Sequence, residues 1–162
     1  MRIDKSKLTK HSQLFLRSIL ARNPEWIRFC HVVESDSNAE QFELRVEIPS
    51  PTGGPRRTLV LFLASEQPSI SFGYWHDHVS VILDNETESQ EIDLIEAAEL
   101  ILKTDIVCFY EVGANPPFGG ILDIRCKDAV LEELTNPYSS GCLDILSWDG
   151  TKDQRASIDP NP

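Results

Sequence analysis

Basic residues are scarce in this chain: 15 lysines and arginines stand against 26 aspartates and glutamates, a formal net charge of -11 over 162 residues. Nucleic-acid binding rests on a positive surface that neutralises phosphates, so DNA and RNA are poor partners for such a protein. Long apolar runs are lacking too. The longest, residues 59–64 and 107–110, fall far short of the ~20 residues needed to cross a bilayer. Near the start, Arg17 interrupts the cluster Leu14, Phe15 and Leu16 before a secretion signal is complete. A cytoplasmic protein with no membrane partner is expected.

Catalytic signatures are equally thin. Cys30, Cys108, Cys126 and Cys142 are spaced too widely for a metal or redox C-x-x-C motif, and buried thiols are the expectation. Cys108, inside the apolar run Val107-Cys108-Phe109, reads as an inert one. There is no G-x-S-x-G elbow and no H-E-x-x-H helix. The pairs Gly53-Gly54 and Gly119-Gly120 precede expected strands, unlike phosphate-binding glycines that open helices, and read as tight turns. No cofactor is expected.

What the chain does have is enough apolar content, 41% hydrophobic against 25% charged, to bury one core in one domain. Leu8, Phe15 and Ile19, with Ser12 on the same face, recur at the helical period and predict an amphipathic helix over 5–22 that ends near Asn23-Pro24. Lys5, Lys7 and Lys10 would then oppose its dipole. From Trp26 the period shifts towards two, predicting strands at 29–34 and 42–48 and an interior strand, apolar on both faces, at 58–64. A further strand over 69–83 changes its buried phase near Gly73, which predicts a bulge or bend there. Ile92, Ile95, Ala98, Ile101 and Leu102 give the stripe of a helix over 86–103, capped from Asn85 with Glu88 or Thr87 with Gln90. Short strands follow at 106–112, 120–125 and 142–147, with a helical turn or two at 129–134. The order α-ββββ-α-βββ predicts an α+β fold with a mainly antiparallel sheet and the 86–103 helix packed on one face. A single domain over 1–149 and a polar, frayed tail over 150–162 complete the expectation.

Charge is unevenly placed. Residues 1–30 hold Arg2, Lys5, Lys7, Lys10, Arg17, Arg22 and Arg28 against Asp4 and Glu25, a net +5, so the rest of the chain carries -16. A basic protein is the favoured partner. Tyr74, Trp75, His76, Asp77 and His78, with Trp148 and Asp149, set amphipathic rings beside carboxylates, the raw material of a protein-binding hot spot. Trp75 and Trp148 serve equally well as core residues. His76 and His78 share one face of an extended strand, so a metal-dependent hydrolase using both as ligands is the alternative reading, its third ligand unidentified and Asp77 on the opposite face. Pairing of exposed strand edges in a homodimer stays open.

The segments Ser71-Phe72-Gly73-Tyr74-Trp75-His76-Asp77-His78 and Leu146-Ser147-Trp148-Asp149-Gly150-Thr151 resemble those of small bacterial proteins that look like immunity proteins of polymorphic toxin systems. That resemblance implies a small, acidic, cytoplasmic, non-enzymatic toxin inhibitor that covers the active site of its target.

Overall fold

Strict alternation along the first half of the chain produces a sheet with one dry face. β1 (Cys30–Ser35), β2 (Asn38–Ile48), β3 (Leu59–Leu63), β4 (Ser69–Phe72) and β5 (Trp75–His78) form an antiparallel meander in chain order. Leu44, Val46 and Ile48, then Leu59, Leu61 and Leu63, then Ile70 and Phe72 are all buried on its inner face, the period-two pattern of a sheet packed on one side. The computed structural model describes residues 3–35, 38–63, 68–73, 75–78, 80–84, 89–112, 119–126 and 141–158. Gly73 is the corner of a hairpin, where a bulge or bend was expected: its φ of 67° lies in the left-handed region open to glycine, and Phe72 pairs with Trp75 directly across the turn. The expected strand over 69–83 is therefore divided among β4, β5 and β6 (Ser80–Asp84), the last of which pairs with β7 (Ser89–Asp93) as a separate two-stranded ribbon.

Both helices start later than their apolar periodicity predicts. Lys5–Lys7 form a 3-10 turn, Leu8 makes a parallel bridge to Phe42, and α1 (Lys10–Arg22) begins after Thr9, whose hydroxyl accepts from Ser12 N at 3.2 Å. Lys5 and Lys7 thus lie outside the helix and do not load its dipole. Ser12, fully buried, donates its hydroxyl to Leu63 O at 2.8 Å and accepts from Leu44 N at 3.0 Å. Leu44 and Leu63 are themselves paired across β2 and β3, so this one hydroxyl joins the helix to the sheet.

α2 spans Leu94–Leu102, capped by Asp93, whose carboxylate accepts from Glu96 N at 2.8 Å. The expected start near 86 is corrected because Ile92 and its neighbours pair with β6 as strand β7. Ile92 suits a helical stripe and an alternating strand alike, and pairing with Val81 decides between them. Ile95 and Ile101 are buried, as the stripe requires.

β8 (Ile106–Val112), β9 (Gly119–Asp123), β10 (Gly141–Leu146) and β11 (Gln154–Ile158) build a second antiparallel sheet in the order β11-β10-β8-β9. β11 corrects the expected frayed tail from residue 150, since Gln154 to Ile158 pair with Ile145 back to Gly141. Ile106 and Cys108 point into the main core shared with the first sheet and both helices, while Val107 and Phe109 join Leu122, Leu143 and Ile145 in a second cluster. Gly119 and Gly120 lie inside β9, not in a turn. A Cβ at Gly120 would sit 3.0 Å from the Phe109 ring, so the bare strand makes room for that ring. The helical turn expected at 129–134 lies outside the described residues. The fold is α+β with antiparallel sheets.

Candidate functional site

Alternation separates the residues that the sequence groups together. On β5, Trp75 pairs with Phe72 and Asp77 with Ile70 on the inner face, while His76 and His78 pair with Ser71 and Ser69 on the outer one. Trp75 is 9% exposed and belongs to the main core, which leaves a partner little of it to touch. Asp77 is half-buried and accepts from His78 N at 2.8 Å. His76 and His78 are exposed, their rings edge-on with centroids 5.6 Å apart. Among the described residues no set of three or more histidine, cysteine or acidic side chains is placed to hold a metal, so the pair gains no third ligand there. Tyr74 lies outside the described residues.

Strand register gives the outer face one row across all five strands and one across four. One runs His31, Arg45, Phe62, Ser69, His78 and the other Glu47, Val60, Ser71, His76. The face is mixed in charge, with Arg45 against Glu47 at 2.6 Å, and Val60 and Phe62 half-buried at its centre.

Trp148 and Asp149 are instead parts of a clip. Ser50, just beyond β2, donates its hydroxyl to Trp148 O, and the Arg57 guanidinium donates to Ser147 O at 3.1 Å and pairs with Asp153. The Asp149 carboxylate accepts from Thr151 N at 2.9 Å and Thr151 Oγ1 at 2.7 Å, bonds that hold it below the usual carboxylate range. Trp148 packs half-buried against the main core, and its indole Nε1 is buried with no acceptor among the described residues. The 147–153 turn thus fastens the second sheet to the β2–β3 connection.

A groove that no sequence motif marks lies at the far side of α2. Ile92, Glu96 and Leu100, spaced four apart, form one wall, Asp105 and Ile106 the end, and Asp123 and Arg125 the other wall of a cavity of about 350 Å³. Ile124 N donates to Asp105 O at 2.9 Å, which holds the two ends of this wall together. Asp123 is 3% exposed, yet its partner Arg125 has a side chain that is 83% exposed. Arg125 donates from Nε to Asp123 Oδ1 at 2.9 Å and from its backbone N at 2.8 Å, and these bonds keep the Asp123 carboxyl well below the usual range. Glu96 and Asp105 have no ion pair among the described residues. The usable sequence signal was Asp93-x-x-Glu96, a helix-start pattern that places Glu96 on the first turn of α2.

A second cavity, of about 340 Å³, lies between the helices and is lined by Phe15, Ser18, Ala21, Arg22, Asp93 and Ile95. Its cation is already engaged: Arg22 pairs with Asp93 and Glu99, each at 3.0 Å. The thiols are suppressed by burial, which pushes Cys30 up to about 11 and Cys108 up to about 12, so neither supplies a thiolate nucleophile near neutral pH. No described helix is long and apolar enough to cross a membrane. No protein family, curated protein or solved structure matches the chain.

Proposed function

We propose that this protein is a non-enzymatic binding module that inhibits a basic partner protein, in the manner of an immunity protein facing a toxin. One observation carries the reading: the chain spends its arginines on itself. Arg22, Arg45, Arg57, Arg125 and Arg155 each pair with a carboxylate of the same chain. Glu25, Glu34, Glu96 and Asp105, among the described residues, stand at the surface with no ion pair. Lys5, Lys7, Lys10 and Arg17 gather near the amino terminus, and beyond residue 30, where Lys103 and Lys152 are exposed, the chain still carries a net -16, so the surface there is anionic on balance. Such a surface steers a cationic protein into encounter and repels nucleic acid.

Association should therefore weaken as salt screens it. The test is capture of partners from the native host on the immobilised protein at about 50 mM and about 500 mM salt. Recovery of a basic protein at the lower concentration, and much less of it at the higher, is the expected result. Recovery of no basic protein at either would overturn the proposal.

A further inference from the structure

We propose that His76 and His78 on β5 chelate one divalent late transition-metal ion, of the zinc, nickel or copper kind, on the outer face of the first sheet. Residues two apart on a strand stand on one face, and the register sets both imidazoles on the side away from the core. Their ring centroids are 5.6 Å apart. An imidazole nitrogen bonds zinc at about 2.0–2.1 Å, which puts its ring centre roughly 3 Å from the ion, so two rings sharing an ion can be up to about 6 Å apart. The pair therefore lies within chelating reach with the strand as it stands.

The surroundings keep both rings available. Both are exposed, and among the described residues each ring touches only the other. Their cross-strand neighbours on β4 are Ser71 and Ser69, short side chains that leave the approach of an ion open. β5 is the last strand of its sheet, so no further strand of that sheet crowds the other side. The backbone beneath them is held, since Trp75 is anchored in the core and Asp77 accepts from His78 N at 2.8 Å. Chelation then needs side-chain rotation alone.

The donor set decides the kind of ion. Imidazole suits zinc, copper and nickel, whereas magnesium and calcium take oxygen ligands. No third protein ligand stands by among the described residues, so the other positions of the ion are open to water or to a ligand from outside. A net charge of -11 adds a general attraction for cations, and magnesium separates that attraction from chelation. His31 lies in the same row as His78 but four strands away, roughly 19 Å at the usual strand spacing, and cannot share the ion. The site goes beyond the inhibitor reading and uses none of the unpaired carboxylates on which that reading rests.

The test titrates the full chain with zinc ion, and separately with magnesium ion, followed by calorimetry and by imidazole and amide chemical shifts. Saturable binding of a single zinc is expected, with shifts confined to the His76 and His78 rings and to the amides of β4 and β5. Magnesium should not reproduce them. His76→Ala and His78→Ala should each weaken zinc at least about tenfold, since losing even an outer-shell partner of a metal site costs ~10–100-fold. His31→Ala should leave the titration unaltered. Amide shifts outside β4 and β5 stay unchanged in the variants and report an intact fold. Absence of saturable zinc binding, a shift pattern shared with magnesium, or undiminished affinity in either single variant at β5 would overturn the chelate.

Discussion

The two sheets solve burial differently. The first has a dry inner face and an outer face on which His31, His76 and His78 are exposed. The second is a wall between two apolar clusters, with Ile106 and Cys108 on one side and Val107 and Phe109 on the other. An alternating strand tolerates polar change on alternate positions, whereas a strand dry on both faces has no neutral position. The freedom to vary, and with it the freedom to present side chains to a partner, belongs to the first sheet and to the rims.

The largest effects that could break this contrast come from the two clusters. Ile101→Ala, on the buried face of α2, should cost about 2–5 kcal/mol, and Phe109→Ala about 3–5 kcal/mol, both by chemical denaturation. A cost below about 1 kcal/mol for Phe109→Ala would mean that the second cluster is not an energetic core and that the second sheet resembles the first. A smaller effect sharpens the same point. Gly120→Ala sets a methyl 3.0 Å from the Phe109 ring and should cost about 1–3 kcal/mol through overpacking. Loss of that penalty when Gly120→Ala is combined with Phe109→Leu would tie it to the ring.

The smallest expected effect concerns the edge of the second sheet. Asp144 pairs with Arg155 at 2.5 Å and accepts from Tyr110 OH at 2.9 Å. The Arg155 hydrogen bonds, chiefly, hold its carboxyl below the usual range. A depressed folded value contributes stability above the unfolded pKa of about 4 that is lost as pH falls through the folded one. Asp144→Asn should therefore be less stable than the parent at pH 7, with the difference closing below about pH 4. A difference constant from pH 7 to pH 3 would show that the pair does not stabilise the β10–β11 edge.

Legibility in the sequence followed the same division. The alternating run of β2 states its own inner face, and the interior position of β3 follows from its uniformly apolar composition. Elements whose pattern suits two structures were misplaced: Ile92 fits strand and helix equally, and Gly73 fits a bulge and a hairpin corner. β11 reads as tail because its composition is polar, and the partner that pairs it, β10, is not encoded in its own residues. At the site, alternation correctly set His76 and His78 on one face and Asp77 on the other. The sequence leaves Trp148 open between core and binding surface and sets Asp149 with the binding residues, because it cannot show Ser50 and Arg57 arriving from the β2–β3 connection. The groove stayed invisible for a related reason, since Glu96 lies on α2 while Asp105 and Asp123 border the same cavity only because β8 pairs with β9, Ile106 opposite Asp123, a pairing that no spacing rule encodes.

The Ser12 hydroxyl, held between Leu44 N and Leu63 O, sets an order on assembly during synthesis. The helix that carries it leaves the ribosome before either strand exists, yet its docking contacts lie 32 and 51 residues downstream. Until residue 63 has emerged and the β2–β3 pair has closed, α1 has no seat, and thirteen residues of helix are too few to persist alone in water. The first helix to be made thus waits for two strands made after it, and the apolar side of α1 must be kept from other chains for that interval.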